Sequence, residues 1–298
     1  MKLATTLGDF ARYAKSTEEC IQLGHDAGFR YIDFSLGGRA LFCEGDGWRD
    51  VAKHFADYAD TLGVKYVQAH SPNGTLLTKD REESEIFAAK RSLEICRALG
   101  IDRVVIHGAW TGKPSSKESF YALNKRFYEA ILPTAEETGV MILTENTSHA
   151  SLGEGGCYIY SGKDMTEFVE YIDHPLLQVV WDTGHGTTEG SQYENILAVG
   201  KHLKALHVHD NNGKADQHAM PYMGVLNLDQ VMNGLLEIGY DGYFTFEVVN
   251  ALRSASGRQK FERDTRLATP TLEMQIDMER LMYHIGKHAL SAYDCFEE

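Results

Sequence analysis

LLQVVWDTGHG, residues 176–186, decides how the rest of the chain is read. A continuous apolar run of this length reads as a buried strand, and the glycines behind it read as a turn at its C-terminal end. Asp182 and His185 then stand three positions apart at a strand tip, among small residues that a packed core would not select. The question is what this acid and this imidazole reach toward.

Working outward, similar runs recur along the chain: KLATTL (2–7), RYIDFSL (30–36), VKYVQAH (64–70), RVVIHG (103–108), VMILTEN (140–146), LKALHVHD (203–210) and YFTFEVV (243–249). Between them lie amphipathic stretches. In Asp80–Leu99, for example, Ile86, Ala89, Leu93, Cys96 and Leu99 recur at helical spacing before Gly100 ends the pattern. Helices are also expected over Thr17–Ala27, Trp48–Leu62, Lys117–Thr138, Met165–Ile172, Leu228–Ile238 and Leu272–His288, while 183–202 reads as only weakly helical. Eight strands alternating with helices predict an α/β chain with a parallel sheet and right-handed crossovers. That number suits a closed (β/α)8 TIM barrel better than an open doubly wound sheet. With no Pro-rich linker, residues 1–298 are expected to form one barrel domain. The surplus over a minimal barrel is expected in long loops at 146–163, 210–225 and 250–270.

Composition narrows the partners. The 298 residues are 43% hydrophobic and 24% charged, enough for a full core, and the net charge of -14 is spread without an acidic tail. That balance argues against a phosphate-backbone partner, so no nucleic acid is expected. Cys20, Cys43, Cys96, Cys157 and Cys295 show no CxxC spacing and read as reduced thiols. The start, MKLATTLGDF, lacks a signal-type segment, and no run approaches ~18 apolar residues, so a cytoplasmic protein without membrane attachment is expected. Assembly into a homo-oligomer is left open.

His70, His107, Glu145, Asp182, His207 and Glu247 all fall at or near the C-terminal ends of expected strands, where barrel loops build active sites. His185, His209, Asp216 and His218 lie just beyond. One polar strand-end residue often only caps the next helix. Six strands ending in His, Asp and Glu alone fit a divalent cation, whose usual ligands are carboxylate oxygens and neutral imidazoles. Glu145 and Glu247 carry the most weight, because a buried strand-end carboxylate is costly unless a cation or donor compensates it.

ILTEN, VVWDTGH, LHVHDNNGKADQH and GYDGYFTFEV, in this order and spacing, resemble the sugar phosphate isomerase/epimerase superfamily, whose xylose-isomerase-like barrel is shared with endonuclease IV. The resemblance covers nearly the whole chain. It implies a metal held by Glu145, Asp182, His207 and Glu247. In the sugar-epimerising branch the two glutamates also exchange a proton with the substrate, and a histidine matching His185 contacts a substrate oxygen. His70, His107, and Asp216 with His218 match further metal ligands of the endonuclease IV branch. There the glycine step expected after DQH is replaced by AMPYMGVL.

For His70 and His107, contacts to substrate hydroxyls are expected ahead of metal ligation. Of His207 and His209, only the first is expected to line the mouth, with His209 and Asp210 orienting ligands behind it. Asp216 and His218 are candidates for an additional metal or for such support. The resulting expectation is a sugar isomerase or epimerase, or a related keto-sugar lyase, acting on a small sugar or sugar derivative beside Mn, Mg, Co or Zn. Two other readings stand beside it. One is an endonuclease IV-like zinc phosphoesterase, against which the net charge speaks, together with a 146–163 loop holding Glu154 and only Lys163. The other is a noncatalytic barrel subunit, which predicts a broken ligand set. No glycine-rich phosphate cradle follows the seventh or eighth strand, so a free or phosphorylated sugar stays open.

Overall fold

The structure, a computed structural model, describes residues 1–37, 39–42, 45–72, 74, 76–149, 156–249, 251–252, 267 and 269–298. Its eight strands are β1 (Lys2–Thr5), β2 (Tyr31–Ser35), β3 (Lys65–His70), β4 (Arg103–Val105), β5 (Met141–Glu145), β6 (Leu177–Asp182), β7 (Leu203–His207) and β8 (Tyr243–Phe246). Each lies inside a run expected from the sequence. The sheet order is β7-β6-β5-β4-β3-β2-β1-β8, and all the paired strands are parallel. Just past the end of β7, Val208 N–H donates to Thr245 O at 2.8 Å and Glu247 N–H donates to Val208 O at 3.1 Å. These bonds bring β7 against β8, and the sheet curls into a nearly closed TIM barrel.

The helices are α1 (Thr17–Ala27), α2 (Gly47–Leu62), α3 (Glu82–Leu99), α4 (Lys117–Thr138), α5 (Gly162–Ile172), α6 (Thr183–Thr187), α7 (Gln192–Val199), α8 (Leu228–Glu237) and α9 (Leu272–Ala292). Local chemistry sets their ends. Ser161 and Asp164 form a reciprocal capping box that starts α5, and Ser16 accepts from Glu19 N–H at the start of α1. The weakly helical expectation for 183–202 is corrected: two short helices and a 3-10 turn occupy all of it but residues 188–191. Asp182 caps α6 with its side chain and Ser191 caps α7, signals that periodicity over so few residues does not register. The loop expected at 250–270 lies mostly outside the described residues, and so do Glu154 and Cys43. Cys20, Cys96, Cys157 and Cys295 are unpaired, and among the described residues no helix is long and apolar enough to cross a membrane.

The packing decides where polar groups can go. A large core lies between sheet and helices, while Val105, Leu143, Val180 and Ala205 form a separate buried cluster with Met141 packed on it. These four come from β4 to β7 and plug the inside of the barrel. Side chains two positions apart on a strand share a face, so the next inward residues toward the strand ends are His107, Glu145, Asp182 and His207. The apolar plug below thus places a polar layer above it.

Candidate metal centre

One ligand atom each from Glu145, Asp182, His207 and Glu247 lies within 4.8 Å of the others. His207 is at the centre. Its Nε2 stands 3.0 Å from Asp33 Oδ2, so Nε2–H donates there and leaves Nδ1 facing the two glutamates. Nδ1 is 3.4 Å from Glu145 Oε2 and 3.4 Å from Glu247 Oε2, and both His207 Nδ1 and Glu145 Oε2 are buried without a hydrogen-bond partner. Ligand atoms each about 2.1 Å from one ion stand roughly 3–3.5 Å apart, so these separations suit a shared divalent cation. Three carboxylates and one imidazole form a donor set for a hard or borderline ion.

The charges need compensation. Burial pushes the Glu145 carboxyl up, but the imidazoles of His207 and His107 outweigh it and hold the group below the usual carboxylate range. Asp182 is likewise held well below that range: burial opposes ionisation, while His185 and His209 favour it more strongly. Glu247 goes the other way, raised by burial and by the Glu145 charge against the pull of His207. Burial lowers the proton affinity of His207, yet Glu247 and Glu145 raise it well above that of an ordinary imidazole. Either a proton or a metal ion at Nδ1 balances this set.

Asp33 was not singled out from sequence. It lies in the middle of β2 and is 1% exposed, and the same Oδ2 that accepts from His207 accepts from Gln68 Nε2 at 2.8 Å. Thr245 Oγ1 donates on to Gln68 Oε1 at 3.4 Å. A carboxylate behind a histidine fixes its tautomer and aims its free nitrogen. The available signal was a lone acid inside an apolar strand run, which has to find a partner. Asp33→Asn is expected to weaken divalent-metal affinity by roughly 10–100-fold without unfolding the barrel. Calorimetric titration with Mn and Zn checks this, and unchanged affinity removes Asp33 from the centre.

The acid and imidazole of WDTGHG reach different targets. Asp182 Oδ1 accepts from His185 N–H at 2.7 Å and caps α6, while Oδ2 lies 3.0 Å from His209 Nε2. His185 Nδ1 lies 2.8 Å from Asn146 O and its Nε2 lies 3.3 Å from Asp216 Oδ2. Asn146 in turn bridges β5 to β6, donating to Asp182 O at 3.0 Å and accepting from Asp182 N–H at 2.7 Å. Gly184 is needed for space, since a Cβ there would stand 1.8 Å from His209 Cε1.

His209, expected behind His207 and not beside it, also enters the mouth, because residues two apart on extended backbone share a face. Asp210, expected to orient ligands, instead ties down the following loop by accepting from Gly224 and Leu226 N–H, each at 2.8 Å. That anchoring carries Asp216 and His218 to the mouth despite the AMPYMGVL sequence. His218 stacks on His209 with centroids 4.0 Å apart, and its Nε2 lies 3.3 Å from Asp216 Oδ2.

On the other side, His70 Nδ1–H donates to Ser71 O at 2.9 Å, so its Nε2 faces His107 Nε2 at 3.0 Å as an acceptor. Burial lowers the pKa of His107 to about 4 even though Glu145 favours its charged form. Both Nε2 atoms lie 3.8 Å from Glu145 Oε2. Two further groups, His70 with His107 and Glu145, and His209 with His218 and Glu247, therefore have ligand-like spacing around the central four.

A family model described as a xylose isomerase-like TIM barrel matches residues 21–267. Among curated relatives, an inosose isomerase of Bacillus velezensis is 24% identical over 204 residues, covering 65% of this chain and 71% of that protein. A probable endonuclease 4 of Citrifermentans bemidjiense is 25% identical over 200 residues, covering 60% of this chain and 68% of that protein. Among solved structures, a D-psicose 3-epimerase from Clostridium cellulolyticum H10 with D-tagatose superposes with a TM-score of 0.77 at 16% identity, covering 97% of this chain and 99% of that one. The IOLI protein with a bound zinc atom gives a TM-score of 0.75 at 19% identity, covering 98% and 99%.

Proposed function

Because the chain belongs to the xylose isomerase-like TIM barrel family, we propose that it is a sugar isomerase or epimerase dependent on a divalent metal, with Glu145 and Glu247 as its proton-transferring groups. The observation that carries this reading is the pair of glutamates converging on His207 Nδ1, each at 3.4 Å, within one ligand-like group. Two carboxylates brought to one site can serve as base and acid in an exchange at a single carbon.

Glu145, Asp182, His207 and Glu247 would hold the ion, and Mn, Mg, Co and Zn all suit their donors. When bound, it supplies Lewis acidity to a carbonyl and its neighbouring hydroxyl, making the proton on the adjacent carbon easier to remove. Glu145, held ionised, accepts that proton at a carboxylate oxygen. Glu247 returns a proton from the other side and inverts the carbon. His185, fixed through Nδ1–H to Asn146 O, presents Nε2 to a substrate oxygen, and His70 and His107 contact hydroxyls beside Glu145. Incubation of the metal-loaded protein with ketoses and 3-keto glycosides in D2O, read by NMR, tests the proposal. Deuterium entering at the carbon beside the carbonyl is the expected result, and turnover without any such label sinks it.

The two flanking groups of ligand-like histidines and the endonuclease 4 relatives favour one alternative, a zinc phosphoesterase. The net charge of -14 opposes it, because phosphate-backbone binding depends on cationic surface. Incubation with an abasic-site duplex and zinc is expected to leave the strand intact. Robust incision that disappears with His107→Ala would reverse the ranking.

A further inference from the structure

The net charge of -14 is not spread evenly over the surface. Between the segments that lead into α3 and α4 lies an open cleft of about 890 Å³, and among the described residues no candidate ligand of the metal centre lines it. Leu77 N–H donates to Trp110 O at 2.7 Å and joins the two segments. The α4 wall is a single helical face, on which Ser119, Ala122, Leu123 and Arg126 recur at i, i+3, i+4 and i+7. Three groups lining the cleft are cationic, Lys79, Lys113 and Arg126, against one carboxylate, Glu82, to which Arg126 Nε–H donates at 3.0 Å. Trp110 supplies an aromatic surface beside them. Its Nε1–H donates to Lys113 O at 3.1 Å, which fixes the indole. The ring is only partly buried, whereas Trp48 is 3% exposed and Trp181 is fully enclosed.

We propose, independently of the reaction at the metal centre, that this cleft binds a nucleoside phosphate, with the base against Trp110 and the phosphates among Lys79, Lys113 and Arg126. Exposed cations alone hold an anion weakly, because water and salt screen them. A planar base adds stacking on the indole, and phosphate oxygens take charge-assisted hydrogen bonds from the lysines and the arginine. The two kinds of contact come from one ligand only if it carries both an aromatic ring and an anionic tail. Size agrees: pockets of roughly 300–1,000 Å³ take ligands of this class, and a phosphate ion or a single sugar leaves most of such a cleft to water.

Calorimetric titration of the zinc-loaded protein with ADP, adenosine and pyrophosphate tests this. ADP is expected to bind at least fivefold more tightly than either fragment, and to quench a tryptophan emission that Trp110→Leu no longer shows. Lys113→Glu should weaken ADP roughly three- to tenfold and leave adenosine unchanged, while Glu82→Gln, which frees Arg126, should strengthen ADP by a similar factor. Trp110→Leu should weaken ADP and adenosine alike, at least fivefold, and leave pyrophosphate unchanged. Phosphates also have an affinity for a metal ion in the barrel mouth, so the place of binding is read separately. Ala122→Trp fills the cleft from an exposed position and should lower ADP affinity at least tenfold. ADP that binds Ala122→Trp and Lys113→Glu as well as the unmutated protein sits at the metal centre and overturns the cleft assignment. So does absence of ADP binding at millimolar concentration, or an affinity for pyrophosphate equal to that for ADP. Loss of the isomerase reading changes none of these outcomes.

Discussion

Glu145→Gln and, separately, Glu247→Gln are expected to lower kcat for a responsive ketose or keto glycoside by roughly 10²–10⁴-fold, the usual contribution of a positioned acid or base. Glutamine keeps the shape of the side chain and an oxygen that can still face the metal, but it neither accepts nor releases the proton. The two variants should also differ from each other. With Glu247→Gln, Glu145 still removes the substrate proton and can give back a solvent deuteron on the same face, so unreacted substrate gains deuterium without forming epimer. With Glu145→Gln the same face loses its base, and for a substrate presenting that face no exchange is expected. NMR in D2O separates these outcomes, and full activity in either variant would show that its carboxylate is structural.

The second large effect is on the metal. Purified protein is expected to carry one tightly bound divalent ion per chain, and Asp182→Asn or His207→Ala to lose it during purification. His207 contributes the central nitrogen, and its removal leaves Glu145 and Glu247, each 3.4 Å from that atom, without the group that separates them. Truncating one member of a buried charge cluster costs roughly 3–5 kcal/mol, so His207→Ala should also lower the melting temperature more than Asp182→Asn does. Elemental analysis together with thermal melts checks both statements. Unmutated protein with no metal at any stoichiometry would remove the basis of the ligand assignment.

The fold was legible because every strand carries its own apolar run, and six of the eight runs also carry a His, Asp or Glu at or near the tip. The same local signal exposed Glu145, Asp182, His207 and Glu247, since the apolar plug of Val105, Leu143, Val180 and Ala205 lies two residues before His107, Glu145, Asp182 and His207 on the same strands. Groups whose role depends on distant partners were not legible. Asp33 is mid-strand, and its partner His207 is 174 residues away in the chain. Asp210 sits in the same polar run as the two histidines, and only the folded loop shows its carboxylate holding Gly224 and Leu226. The capped helices α6 and α7 are too short for periodicity to stand out, so their caps had to be read one residue at a time.

The bond from Asp33 to His207 also bears on the order in which the molecule assembles. Asp33 lies on the second strand and His207 on the seventh, so the nitrogen that faces both glutamates is aimed only when the two arms of the sheet have curved round to meet. A partly wound sheet containing β1 to β5 already carries Asp33 and Glu145 but has neither the imidazole nor the second glutamate. High-affinity ion capture should therefore be a late event in refolding, following most of the secondary structure. Stopped-flow refolding in the presence of a fluorescent zinc indicator would show it as a lag between the circular dichroism signal and the disappearance of free zinc.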